Sequence, residues 1–257
     1  MSKKTQGLCR LCGKLSSLSF EHIPPESAFN DQPLVLQTLH DRIQGRSHTK
    51  FRTALGNHAL CIGCNNRTGA WYGTAYANWA RQGLEWLDYL GERSPIQIPF
   101  RIMPLNVLKQ IIVMTLAMTS EVTIPYHEEL RWFALDREQK YLPPQYNVYS
   151  YLTATTKPRF ESGMAVLNAR TGAMNYIDAE IAFPPFGYCM TSTRRRERRS
   201  MAEETGLYDM GWFSTFEYNL WTTVYLRMPK LQANTPFPLD YRTSEEIVKE
   251  ANKSLEA

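Results

Sequence analysis

The chain has 257 residues, a formal net charge of +4, 43% hydrophobic and 21% charged residues, the composition of a globular protein of one or two domains. Its longest apolar stretch, residues 105–119, is too short to span a bilayer and contains Lys109, and no apolar segment follows the N-terminal lysines. We therefore expect a cytoplasmic protein without a membrane partner. Residues 1–70 hold nine Lys and Arg against four Asp and Glu, so the whole positive excess lies there and favours a polyanionic partner.

The first third of the chain combines two cysteine pairs with short regular elements. In chain order it predicts a cysteine turn at 8–13, a strand at 15–20, a long connection at 26–56, a second cysteine turn at 60–64 and a helix at 65–90. Residues 91–104 carry several prolines and are predicted to be a linker. We accordingly divide the chain into a module at 1–91 and an accessory domain at 92–257.

The remaining two thirds combine helices with β-rich segments. The pattern predicts a buried apolar helix at 105–120, a second helix at 126–140 and a closing helix at 243–255. Segments rich in aromatic and β-branched residues predict antiparallel strands at 146–156, 163–168, 175–183, 188–193, 212–218 and 221–227. The fold class is therefore α+β, with an antiparallel β-rich C-terminal region.

Four of the five cysteines form two C-x-x-C pairs, Cys9 with Cys12 and Cys61 with Cys64. Each pair supplies two soft ligands at the separation that tetrahedral zinc requires, and two such pairs complete one site. A redox role would need a strand-to-helix context within a βαβ unit, which neither pair has. The spacing predicts one structural Zn²⁺ bound by all four cysteines.

Between and after the cysteine pairs lie Glu21-His22 at a predicted strand end, Asn57, and Asn65 directly behind Cys64. This order of motifs resembles the zinc-knuckle variant of the HNH endonuclease family, over residues 8–75. The resemblance implies an N-terminal treble-clef-like ββα-metal module that hydrolyses DNA phosphodiester bonds. It also suggests a restriction or anti-phage defence role, by association only.

The resemblance assigns roles to single residues. His22 matches the general base, Asn65 a metal ligand at the helix start, Glu21 a second ligand of catalytic Mg²⁺ or Mn²⁺, and Asn57 the middle asparagine that ties the loop to the base. His58 competes with Asn57 for the middle position, and Asn66 competes with Asn65 as the ligand. The His22-to-Cys61 gap is longer than is usual in the family, which implies a loop insertion.

Basic residues near the expected site are candidates for phosphate contacts with DNA. They are Arg42, Arg46, Lys50, Arg52 and Arg67. The accessory domain is expected to recognise the target or to bind a larger partner protein. The alternative to a nuclease is a non-catalytic, zinc-stabilised adaptor that binds nucleic acid or protein.

Overall fold

A computed structural model shows how these segments are arranged. It describes residues 5–32, 34–36, 50–52, 54–91, 97–155, 158–167, 174–192 and 206–231. Within these ranges the protein combines helices with antiparallel sheet, so the predicted α+β class is confirmed at that level. The predicted helix at 243–255 lies outside the described residues.

A three-stranded antiparallel sheet and a helix form the N-terminal part. The strands are β1 (Gln6–Leu8), β2 (Leu15–His22) and β5 (Gly56–Cys61), with β2 in the centre, while β3 (Leu34–Leu36) pairs with β4 (Lys50–Arg52) in a separate ribbon. Helix α1 (Ile62–Thr68) follows β5 directly and continues through a π-helical turn, Gly69–Gly73, into α2 (Thr74–Leu90). The predicted helix is thus present and begins three residues earlier than expected.

The segment predicted as a linker contains a strand, so that prediction is wrong for Ile98–Ile102. This strand, β6, pairs antiparallel with β12 (Thr222–Leu226). The side chains of Ile98, Phe100 and Ile102 are fully buried, and they alternate with exposed Pro99 and Arg101. The prolines in this segment led to the linker prediction and hid the alternation of buried and exposed residues that marks a strand. A proline is tolerated in a strand that is paired on one side only.

The C-terminal part packs two helices against a five-stranded antiparallel sheet. Helix α3 (Pro104–Met118) is buried almost throughout, and α4 (Glu128–Leu135) follows the 3-10 turn Glu121–His127. The sheet has the order β11-β7-β10-β9-β8, with β7 at Tyr146–Leu152, β8 at Arg159–Leu167, β9 at Met174–Phe183, β10 at Phe186–Ser192 and β11 at Tyr208–Asp209. The strand predicted at 212–218 is instead a 3-10 turn, Gly211–Thr215, and the helix predicted at 126–140 is shorter.

One hydrophobic cluster contains residues from both sides of residue 91, from Cys9 to Met228. At its centre the buried Trp79 ring stacks on Phe186 at 4.3 Å, and its Nε1 donates to the Tyr188 hydroxyl at 2.9 Å. Gly83 lets α2 approach the sheet, since a Cβ there would lie 2.3 Å from the Phe186 ring. The division at residue 91 itself stays a prediction. None of the helices in the described part of the chain combines the length and apolar character needed to cross a bilayer.

Candidate metal centre and its surroundings

The four cysteines of the two C-x-x-C pairs meet at one point, between the β1–β2 turn and the start of α1. Their four Sγ atoms all lie within 4.8 Å of one another, and the Sγ atoms of Cys12 and Cys61 are 3.9 Å apart. Tetrahedral zinc with Zn–S bonds of about 2.3 Å separates its sulfur ligands by about 3.8 Å. The cluster could therefore hold a metal ion such as zinc, as the spacing predicted.

Local backbone geometry brings each pair into position. Gly13 has a φ of 71°, a conformation that favours glycine, and its N–H donates to the Cys9 carbonyl at 2.8 Å, which closes the first turn. Cys61 ends β5 and precedes α1, so Cys64 lies in the first turn of that helix. The Cys61 N–H donates to Cys9 Sγ at 3.3 Å. Both this N–H and the positive end of the helix favour deprotonated sulfur.

A hydrogen bond between two of the thiols shifts their pKa values in opposite directions. A hydrogen bond from the Cys64 thiol lowers the pKa of Cys9 far below its ordinary value, and donating that bond raises the pKa of Cys64. Burial raises the pKa of Cys12. Cys9 is thus the thiol that most readily carries negative charge, while a bound zinc ion would stabilise thiolate at all four positions.

Two arginines attach the first cysteine turn to the C-terminal part of the chain. Arg10 donates from Nε to the Thr119 carbonyl at 2.9 Å and pairs with Glu121 at 3.0 Å. Arg131, from α4, donates from Nε to the Leu11 carbonyl at 2.6 Å. The first cysteine turn is therefore attached both to the N-terminal sheet and to the region around α4.

His22, the expected general base, is the last residue of β2 and is half-buried. The Phe20 ring lies edge-on to it at 5.1 Å and edge-on to His58 at 5.5 Å, so the three rings share one face of the β2–β5 pair. Gly56, opposite His22 in register, leaves room for the Phe20 ring, whose Cζ would lie 2.7 Å from an added Cβ. The His22 ring makes no hydrogen bond to any described residue.

Asn65, the expected metal ligand, joins α1 to β2. Its Nδ2 donates to Ser19 Oγ at 3.1 Å and to the Phe20 carbonyl at 3.2 Å, at the bulge between Ser19 and Phe20. The Oδ1 atom then remains as the possible ligand atom of this side chain. Asn66, the competing candidate, is exposed. The structure thus brings Asn65 to the backbone two residues before His22.

Glu21, the expected second ligand, does not share the face of His22. Neighbouring residues of a strand point to opposite faces, and Glu21 is only 6% exposed. Burial raises the pKa of its carboxyl to about 7, and this carboxyl has no hydrogen bond or ion pair with a described residue. Exposed Asn57 pairs with Glu21 in register, whereas His58 pairs with Phe20 on the His22 face. Of the two candidates for the middle position, His58 is therefore the one that shares the face of His22.

The basic candidates are only partly described. Arg42 and Arg46 lie outside the described residues, and Lys50 and Arg52 lie on β4. Arg67 is exposed on α1, with its guanidinium over the Trp71 ring at 5.7 Å. Sequence reasoning missed a second guanidinium over the same ring, that of Arg137 at 5.8 Å. The four-residue spacing of Arg67 and Trp71 on a helix indicated that these two side chains could be in contact. The contact of Trp71 with Arg137 could not be inferred in this way, because the two residues are far apart in the sequence.

Comparisons with known proteins give no match: no family model, no curated protein and no solved structure corresponds to this chain.

Proposed function

We propose that the chain is a zinc-stabilised HNH-type endonuclease, with residues 1–91 as a treble-clef-like ββα-metal module and His22 as the general base. The observation that carries the proposal is the position of His22. It ends β2, the strand that follows the first cysteine pair in the chain, and the four cysteines together have the dimensions of a zinc site. Helix α1 is hydrogen-bonded to the same strand through Asn65. DNA is the proposed substrate, and restriction or anti-phage defence is the proposed setting.

The chemistry assigned to His22 follows from its residue type and surroundings. Phosphodiester hydrolysis needs a group that accepts a proton from water near neutral pH, and imidazole is suited to this. The Phe20 and His22 rings form a T-shaped contact, with centroids 5.1 Å apart. Because no described residue occupies the ring nitrogens by hydrogen bonding, one of them can accept the proton of an attacking water.

In this class of reaction, a bound Mg²⁺ or Mn²⁺ would neutralise negative charge on the phosphate and on the leaving oxygen. The ligand pair expected from the sequence fits such an ion only in part. The Asn65 amide oxygen is a suitable hard ligand beside β2, but the Glu21 carboxyl faces away from His22. We therefore assign no step to a cation bound by Glu21.

The proposal is tested by cleavage of supercoiled plasmid with and without added Mg²⁺ or Mn²⁺. We expect cleavage that requires the added cation, retention of zinc, and loss of activity in His22→Ala. Arg81→Ala, at an exposed arginine of α2 with no role in the proposed chemistry, is the control and should cleave like the parent. A well-folded, zinc-loaded protein that cleaves neither DNA nor RNA with any divalent cation would overturn the proposal.

The second candidate is a non-catalytic adaptor stabilised by zinc. It is favoured by the way Arg10 and Arg131 attach the first cysteine turn to the rest of the chain, which is a structural use of the metal centre. An adaptor of this kind would bind nucleic acid or a partner protein through its C-terminal part. It predicts binding that is the same in the parent and in His22→Ala, with no cleavage in either.

A further inference from the structure

Two arginines and two aromatic rings meet on the surface beyond α1. The guanidinium groups of Arg67 and Arg137 lie over the Trp71 ring at 5.7 and 5.8 Å, and Arg137 also lies 5.2 Å from the centre of the Tyr218 ring. We call these four residues the arginine–aromatic cluster. Arg67 and Trp71 follow the metal centre in the chain, whereas Arg137 and Tyr218 belong to the C-terminal part.

Hydrogen bonds from the buried Asn106 side chain hold the two aromatic residues in place. Trp71 lies in the π-helical turn, and its carbonyl accepts from Nδ2 of Asn106, a side chain that is 1% exposed. The same amide group accepts from the Asn219 N–H at 3.0 Å and donates to Asn219 Oδ1 at 2.9 Å, which fixes the residue after Tyr218. π-Helical turns occur frequently at functional sites.

A further buried bond positions Arg137. The Tyr72 hydroxyl donates to the Ala134 carbonyl at 2.9 Å, at the end of α4 and three residues before Arg137. Hydrogen bonds from Asn106 and Tyr72 therefore join the π-helical turn to α3 and α4 below the exposed cluster. The exposed cation–π contacts add only about 0.5–1 kcal/mol each, so stability alone gives little reason for two arginines on one ring.

The cation–π contacts do not occupy the guanidinium donors. The ring attracts the positive charge of the guanidinium, while its N–H groups can still donate to phosphate oxygens. Arg67 forms no ion pair with any described residue. Arg137 pairs with Glu138 at 3.2 Å, but both side chains are about half exposed, at 48% and 63%. Exposed pairs of this kind contribute little, so a phosphate can displace Glu138.

We propose that the arginine–aromatic cluster binds the phosphodiester backbone of the nucleic acid, with Arg67 and Arg137 each contacting phosphate. The choice of ligand rests on the proposed nuclease function. Asn65 and Arg67 lie on opposite borders of the exposed face of α1, and Asn65 is bonded to β2, the strand that ends at His22. A duplex bound across this face would therefore lie between the cluster and the end of β2. The C-terminal part then contributes directly to substrate binding through Arg137.

The test is the salt dependence of binding to a short fluorescein-labelled DNA duplex and to the corresponding single strand. It is measured by anisotropy in the full-length His22→Ala protein without added divalent cation, so that cleavage does not interfere. Each phosphate contact contributes about 0.9 to the slope of log K against log salt for a duplex, so Arg67→Ala and Arg137→Ala should each lower the slope by about one. Arg81→Ala, an exposed arginine on α2, is the matched control and should leave the slope unchanged.

Arg137→Lys separates charge from geometry. It keeps the charge and should retain the slope, but it should weaken binding because lysine lacks the planar fork. Unchanged slopes in Arg67→Ala and Arg137→Ala, with normal thermal unfolding and zinc content, would overturn the proposal, as would the absence of any nucleic-acid binding at low salt. If binding shows the predicted slopes but the parent protein does not cleave, the nuclease proposal is overturned and the phosphate-binding proposal is supported. If the parent cleaves but the slopes are unchanged in the variants, the phosphate-binding proposal is overturned and the nuclease proposal is supported.

Discussion

The two ends of the β2–β5 pair differ in how firmly their side chains are held by neighbouring residues. At one end, Cys61 lies beside the other three cysteines, and hydrogen bonds and two arginines fix the surrounding turns. At the other end, the His22 ring is half-buried, contacts Phe20 by its edge and has no hydrogen bond to a described residue. One pair of strands thus carries a tightly held cysteine cluster at one end and the proposed general base at the other.

The largest effect is expected from breaking the cysteine end. Cys64→Ser removes one thiolate from the cluster, and structural zinc binding contributes on the order of 10 kcal/mol to small modules. We expect loss of zinc and unfolding of the N-terminal part, measured by metal analysis and by loss of protected amides in hydrogen exchange. Cys189→Ser, at the remaining cysteine, is the control for loss of a buried thiol. A stable, fully folded Cys64→Ser protein without zinc would show that the cluster is not a structural metal site.

A smaller effect, which depends on pH, is expected at Glu21. Burial raises the pKa of this carboxyl from its usual value near 4.5 to about 7, so the folded state holds the proton more tightly than the unfolded state. The stability contributed by protonation is complete below about pH 4.5 and is lost as the pH rises through about 7. Relative to Glu21→Gln, the parent should lose on the order of 3 kcal/mol of unfolding free energy across this window.

Denaturant unfolding at several pH values, without added divalent cation, measures this difference. Glu26→Gln, at an exposed glutamate nearby, is the control and should follow the parent. A flat difference between the parent and Glu21→Gln would contradict the burial of an unpaired carboxyl. If added Mg²⁺ abolished the pH dependence, Glu21 would be a cation ligand, and its separation from His22 would have to be revised.

The smallest of these effects is expected at Arg131, which attaches the first cysteine turn to α4. Arg131→Ala leaves the Leu11 carbonyl without its donor, and an unsatisfied buried acceptor costs about 1–3 kcal/mol. We expect a lower unfolding free energy in denaturant, with zinc still bound. Arg81→Ala should leave stability within experimental error of the parent. Equal stability of Arg131→Ala and the parent would mean that this contact does not join the two parts of the chain.

The sequence predicted the features that depend on local spacing. The C-x-x-C pairs predicted the cysteine cluster, and apolar periodicity predicted the helices and most of the antiparallel strands. Prediction from the sequence failed in β6, where a proline interrupts the alternation of apolar and polar residues. It also failed where the direction of a side chain matters. Glu21 and His22 are neighbours in the sequence and were expected to act together, but neighbouring residues of a strand point to opposite faces. Arg137 and Tyr218 could not be found, because their meeting with Trp71 depends on the packing of distant segments.

Zinc content and cleavage rate, measured on the same preparation of His22→Ala, test the proposed roles of the two ends most directly. We expect one zinc per chain, unfolding like that of the parent, and a cleavage rate lower by about 10²–10⁴-fold, the usual cost of losing a general base. Arg81→Ala, prepared in parallel, should cleave within a few-fold of the parent. If His22→Ala retained full cleavage, or lost its zinc, the division between a structural cysteine end and a chemical histidine end would be wrong.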